Sequence, residues 1–346
     1  MAFALVSVMA GPLDRWHERA NYSGTNLQGI AYGAGVYVIV DGHGGRIITT
    51  RDLTKATADS VYVPGKWTDG VAFDGKRFVV VGESGAYLVS TNGFDWVFAQ
   101  GAGAARRVMY GNERFVAAGT FNVAVSTNGT NWAKASLPLG TGSMDIAFGN
   151  GVFVIDNYLS SDGTTWQRAN GTNRFYSIGF GNGKFVGMRI DAVGPNVLTS
   201  PDGRNWTEHG RLEILRPMGI AYGNGYFVTG GGSARAYSED GISWTLVPTT
   251  TTDYSVRFLQ GTFVATGFKT IYESDPVVQM RMMREGSLAV DGAPGATYRI
   301  EASEQLGADA VWVEERTVTL GDERNIAVFA TQTNAAARFY RAVVGQ

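Results

Sequence analysis

One phrase is written seven times along this chain: a short apolar run, an aromatic residue, a tight turn, then an aromatic residue followed by valine. The copies are GIAYGAGVYV (29–38), GVAFDGKRFV (70–79), RVMYGNERFV (107–116), DIAFGNGVFV (145–154), SIGFGNGKFV (177–186), GIAYGNGYFV (219–228) and SVRFLQGTFV (255–264). Their first aromatics, Tyr32, Phe73, Tyr110, Phe148, Phe180, Tyr222 and Phe258, stand 32 to 42 residues apart. A unit of that length cannot bury its own apolar face and has to stack on its neighbours. Built from short β-branched runs and glycine turns instead of helical periodicity, such units stack as the blades of a propeller.

Residues 219–248 show how one blade is assembled. Gly219 to Tyr222 and Tyr226 to Thr229 read as two strands around the turn Gly223-Asn224-Gly225, whose residues tolerate positive φ. A glycine loop, a third strand from Ala234 to Ser238, the turn Glu239-Asp240-Gly241 and a strand from Trp244 to Val247 complete four antiparallel strands.

The last of those turns repeats as well. STNGFDW (90–96), STNGTNW (126–132), SSDGTTW (160–166), SPDGRNW (200–206) and SEDGISW (238–244) share the pattern Ser-x-Asp/Asn-Gly-x-x-Trp. The Asp or Asn closes an Asx turn, Gly takes the left-handed position, and Trp covers the seam between blades with its N–H bonded. The motif resembles the Asp-box (BNR) repeat of sialidases and related secreted propellers, in a form one residue shorter between Asp and Gly. The resemblance spans residues 14 to 276 and implies a structural part, not a catalytic one, for these Asp, Asn and Trp residues.

Two copies depart from the pattern. The first carries Thr50-Arg51-Asp52-Leu53 without Trp, and the seventh stops at Ser274-Asp275-Pro276 without a fourth strand. Trp16 to Arg19 is therefore expected to supply the missing outer strand beside Tyr272, which would close the ring and leave no free sheet edge. The fold expected is all-β: a seven-bladed β-propeller over 13–276, closed by an N-terminal strand. A small β-sandwich of immunoglobulin or fibronectin type is expected over 277–346. That tail, with GAPGATYRIEAS (292–303), Trp312 and RFYRAVV (338–344), resembles terminal β-domains of secreted proteins from Verrucomicrobia and Planctomycetes. It reads either as an attachment module or as a cap. Residues 1–12 read as the remnant of a truncated signal peptide, pointing to a secreted, periplasmic or cell-surface protein, or as a strand.

Composition narrows the partners. With 29 basic against 31 acidic residues the chain lacks the basic excess that nucleic acid demands. It has no cysteine, so disulfides and thiolate chemistry are excluded. No apolar stretch reaches the length of a transmembrane helix, and a monomer is expected.

Chemistry is expected on the face formed by the loops after each second strand and between blades, where loops vary over a rigid frame. One reading is recognition of a carbohydrate, another polymeric or small-molecule ligand, or a partner protein, through Trp67, Arg107, Tyr158, Arg189 and Arg235. Aromatic rings would stack on sugar faces there, while amides and carboxylates bond hydroxyls. The alternative is a metal-assisted hydrolase at the channel mouth, acting on an ester, phosphoester or glycoside. It would use His43 as base with Asp41 and Glu83, and Glu83, Asn122, Asp156 and Asp191 as oxygen ligands for Ca²⁺ or Mg²⁺. The Asp-box resemblance adds a sialidase-like glycosidase built on arginines, but the early Arg-Ile-Pro phrase of that family is absent.

Overall fold

The structure is a computed structural model that describes residues 13–55, 59–64, 66–120, 122–135, 137, 145–171, 174–191, 193–232, 234–282, 287–303, 311–321, 326–330 and 339–344. The apolar segment 1–12 lies outside them. Every regular element described is a β-strand.

Each repeat phrase forms an antiparallel hairpin, and the register explains the phrase. The two aromatics of a copy face each other directly, as in Tyr32↔Tyr37, Phe73↔Phe78 and Phe148↔Phe153. All seven such pairs have ring centroids 4.5 to 4.9 Å apart. Cross-strand aromatic pairs of this kind add about 0.5–1.5 kcal/mol each beyond the area they bury. The glycine that follows the first aromatic has a different task. A β-carbon on Gly33, Gly111, Gly149, Gly181 or Gly223 would strike the ring of Phe73, Phe148, Phe180, Tyr222 or Phe258 in the next hairpin. Each ring thus lies on the bare backbone of its neighbour, which is why aromatic and glycine travel together.

Five sheets have four strands each; Gly70–Phe73, Phe78–Gly82, Ala86–Ser90 and Val97–Phe98 make one of them. The innermost strands lie side by side in the order Trp16–Gly33, Gly70–Phe73, Arg107–Gly111, Ala147–Gly149, Ser177–Gly181, Met218–Gly223 and Asp253–Leu259, and the last returns to the first. Radially set antiparallel sheets around a common axis are the arrangement of a β-propeller. Apolar clusters fill the seams: Val36, Val38 and Val40 of one sheet meet Phe78, Val80 and Leu88 of the next.

The strand Trp16–Gly33 serves two sheets at once. Leu27 to Gly33 pair with Val36–Asp41, while Trp16↔Ser274, His17↔Glu273 and Glu18↔Tyr272 pair with the end of the strand Thr262–Ser274. This is the pairing expected from the sequence, and it joins the last sheet to the first in one six-stranded sheet.

The Asx-Gly-Trp turns are built as the motif requires. Ser Oγ accepts the Gly N–H at 2.8–2.9 Å in all five copies, as from Gly93 to Ser90 and Gly203 to Ser200. The Asx Oδ1 then accepts two further amides; Asp240 takes those of Ile242 and Ser243 at 2.7 and 2.8 Å. The Ser243 amide leads the bonds that draw the Asp240 carboxyl down to about 2. The indole N–H of Trp96, Trp132, Trp166 and Trp206 donates to the turn glycine's carbonyl at 2.8–3.0 Å. Trp244 differs: its buried indole N–H has no acceptor among the described residues.

Beyond residue 277 two three-stranded sheets share one core. Gln279–Met282, Ser287–Asp291 and Ile326–Ala330 form one; Val313–Thr319, Thr297–Ser303 and Phe339–Val344 form the other. Leu288, Val290, Tyr298 and Ile300 pack between them. Val277 ties this unit to the ring: its N–H donates to Gly261 O and its carbonyl accepts Asn224 Nδ2, both at 2.8 Å.

Candidate functional site

The loops after the second strands bring part of the expected set together, around the first three sheets. Trp67 is held by its backbone, whose N–H donates to Ser84 Oγ at 2.6 Å. Its indole nevertheless remains 41% exposed. The exposed His43 ring stands edge-on to it with centroids 5.1 Å apart. His43 Nδ1 also meets Asn26 Nδ2 at 3.0 Å. Beside Trp67 opens a cavity of about 390 Å³, lined also by Glu83, Ser84, Ala104, Thr120 and Asn122. Glu83 Oε1 is paired with Arg106 Nε at 3.0 Å. The buried Asn122 Nδ2 has no acceptor among the described residues. An exposed indole, a fixed ion pair and an uncommitted amide donor thus border one cavity.

Beneath this surface, buried carboxylates hold the loops in place. Asp69 Oδ2 accepts the Glu83 N–H at 2.8 Å. Burial holds its carboxyl above the usual carboxylate range, against the pull of that amide and of Arg106 and Arg107. Asp41 is fully buried and its Oδ1 accepts the Asn26 N–H at 2.8 Å. Among the described residues no hydrogen bond joins Asp41 or Glu83 to His43, so the three expected catalytic groups stand near one another without forming a proton-transfer chain.

The remaining candidates lie elsewhere. Asp156, at φ +53°, accepts the Phe175 N–H at 3.0 Å and pairs with Arg174 at 3.5 Å. Burial pushes its carboxyl up to about 6, opposed by Arg174 and the amide. Asp191 closes its own turn, accepting the amides of Val193 and Gly194 and the Asn196 side chain; the Val193 amide leads the bonds that lower its carboxyl. Tyr158 belongs to the strand Tyr158–Ser160, and Arg189 pairs with Glu208 at 2.7 Å. Glu83 and Asn122 thus share one cavity, while Asp156 and Asp191 are bonded within other loops. Among the described residues no group of three or more His, Asp or Glu is placed to hold a metal ion. Among the described residues the expected Ca²⁺ or Mg²⁺ site is therefore not assembled.

Arg235 is corrected most. It lies in the strand Ala234–Ser238, buried, with Nη2 on Asp253 Oδ1 at 2.8 Å and its guanidinium against the rings of Trp16 and Tyr272. A ligand on the loop face does not reach it.

Two charged residues on the inner strands escaped the sequence reading. Asp145 precedes the strand Ala147–Gly149, and its oxygens accept the N–H groups of Ile146 at 3.0 Å and Ile178 at 3.2 Å. Arg107 Nε approaches it to 4.0 Å, and Arg257 also acts on it electrostatically. A signal for Arg257 exists: it stands third in its copy, where the others have Ala31, Ala72, Met109, Ala147, Gly179 and Ala221. A further depression of about 380 Å³ lies at the turn end of the first sheet, where Arg51 stacks on Phe94 and Asp52 pairs with Lys55.

No family model matches the sequence, and no curated protein matches it. Solved structures match in shape. A virginiamycin B lyase from Staphylococcus aureus aligns with a TM-score of 0.66 at 13% identity, over 75% of this chain and 99% of that one. YCF48 bound to D1 peptide aligns at 0.60 and 18% identity, over 77% and 98%. The WD40 propeller domain of Doa1 aligns at 0.58 and 12%, over 75% and 96%. At these identities the likeness establishes one thing, that the chain contains a β-propeller.

Proposed function

We propose that this chain is a seven-bladed, ring-closed propeller that binds a glycan chain at the surface formed by His43, Trp67, Glu83, Arg106 and Asn122. The observation that carries this reading is Trp67: a large apolar ring held by its backbone, left exposed beside a cavity that Glu83, Ser84, Thr120 and Asn122 also line. Stacking on an indole suits the apolar face of a sugar, and Glu83, Arg106 and Asn122 offer both acceptors and donors for its hydroxyls. Binding is favoured over hydrolysis because Glu83 is neutralised by Arg106 and His43 has no carboxylate partner among the described residues. The six-stranded C-terminal unit is read as a β-sandwich that caps or attaches the ring.

A peptide is the competing ligand, since the similar propeller YCF48 is recorded with one. A glycan array followed by calorimetry on Trp67→Ala separates the two. Glycan hits weakened about tenfold or more by the substitution, the scale of one stacked ring, support the proposal. No glycan hit, or a hit indifferent to Trp67, overturns it.

A further inference from the structure

In a ring of sheets, residues of neighbouring blades meet at seams, whereas residues of distant blades meet only on the axis. Arg107 opens the innermost strand of the third sheet, Asp145 stands before that of the fourth, and Arg257 lies in the innermost strand Asp253–Leu259 of the last. Arg257 nevertheless acts on both Asp145 and Arg107. Charged groups on sheets this far apart influence one another only where they point inward, which places the three side chains toward the axis of the ring.

Their hydrogen bonds leave an imbalance of donors. Asp145 has its oxygens on the Ile146 and Ile178 amides, and Arg107 Nε at 4.0 Å is an ion-pair distance beyond hydrogen-bond reach. Arg107 spends one N–H on Arg106 O at 3.1 Å, and Arg257 spends one on Val256 O at 2.8 Å. The rest of each planar fork has no hydrogen-bond acceptor among the described residues. The Arg107 side chain is still 15% exposed, and Arg257 is partly so.

We propose that Arg107 and Arg257 form a site on the axis of the ring for a small oxyanion, the carboxylate or phosphate group of a ligand. Two guanidinium forks approaching from different blades suit the bidentate geometry that such groups accept. Burial and the neighbouring Arg107 both press the Arg257 guanidinium below its ordinary range, with Asp145 opposing; a bound anion relieves that cost. Asp69 also faces Arg107, while Arg106 is occupied by Glu83. Counted together these three arginines and three carboxylates balance, so uncommitted donors, not net charge, make the site. The site is independent of glycan binding at Trp67.

The test is an NMR titration of the arginine Nε–Hε resonances with sulfate, a phosphate-like dianion, and separately with acetate. Saturating shifts confined to Arg107 and Arg257, weakened about tenfold or more by Arg257→Met, are expected, a factor that matches the loss of one charge-assisted bond. The exposed Arg168→Met serves as control and leaves the titration unchanged. Should Arg257→Met fail to fold, Arg257→Lys and the wild-type localisation decide instead. Saturation by only one of the two anions identifies its class. Linear, unsaturable shifts with both, or saturation at other arginines, overturn the proposal.

Discussion

The guanidinium carbon of Arg235 lies 4.5 Å from the ring centre of Trp16, although 219 residues separate them in sequence. The Tyr272 ring also lies 4.6 Å from it, and Asp253 supplies the counter-charge at 2.8 Å. One buried cation from the sixth sheet thereby grips both strands that join the chain's beginning to its seventh repeat.

Removing that cation leaves Asp253 buried and uncompensated. Arg235→Met is expected to destabilise the ring by about 3–5 kcal/mol, the usual cost of breaking one side of a buried pair. Arg235→Lys, which retains charge but not the stacking plane, falls between. Urea unfolding measures both, and a loss below about 1 kcal/mol for Arg235→Met, the scale of exposed pairs, contradicts the clamp.

Asp156 sets an opposite pH dependence from that of an ordinary paired carboxylate. Its folded carboxyl stands at about 6, above the unfolded value of about 3.9. Between those values the unfolded chain has already released its proton while the folded protein keeps one. Stability therefore falls as pH rises from about 4 to about 6, by up to about 3 kcal/mol, and is level above that window. Asp156→Asn should flatten this part of the stability–pH curve, read by thermal melts across the range.

Asp202 behaves in the contrary sense. Its folded carboxyl stands at about 2; burial, the largest single influence, raises it, but the Asn205 and Arg204 amides and the Ser200 hydroxyl together outweigh burial. Its stabilisation is present above the unfolded value of about 3.9 and disappears as pH falls through about 2. Asp202→Asn should match wild type at neutral pH, since Asn92 and Asn128 make the same turn, and should lose this acid dependence. Asp202→Ala should cost about 0.5–2 kcal/mol at neutral pH, as lost caps do.

The ring-on-glycine contacts predict a coupled pair. A methyl group on Gly181 would enter the Tyr222 ring, so Gly181→Ala should cost about 1–3 kcal/mol through overpacking. Combining it with Tyr222→Leu should recover part of that loss, and a double-mutant cycle in urea measures the coupling. Strict additivity would show that the two residues do not press on each other.

The hairpins and the Asx turns were readable because both are local: their residues, their bonds and their register lie within a few positions of one another. Even the pairing of Trp16–Glu18 with 272–274 could be read, from an absent Trp at one end and a surplus one at the other. Arg235 was expected on the ligand face although its strand, Ala234–Ser238, was legible. Nothing local in the sequence shows that its side chain turns inward onto Asp253 and Trp16. Asp41 and Asp156 look like free ligands in sequence because nothing local reveals the amides of Asn26 and Phe175 that occupy them. Arg257 and Asp145 act on each other from different sheets of the ring, and no local pattern encodes such a pairing.

The strand Trp16–Gly33, shared between first and last sheets, also dictates an order of events at the ribosome. Residues 16–18 are made well before their partners at 272–274, which follow roughly ten to fifty seconds later at elongation speeds of about 5–20 residues per second. Throughout that interval the inner sheets can stack in sequence while the opening segment waits with its backbone unpaired. The circle is completed only when residues 16–18 meet 272–274, so a nascent chain halted before residue 270 would hold most of its sheets and remain an open arc.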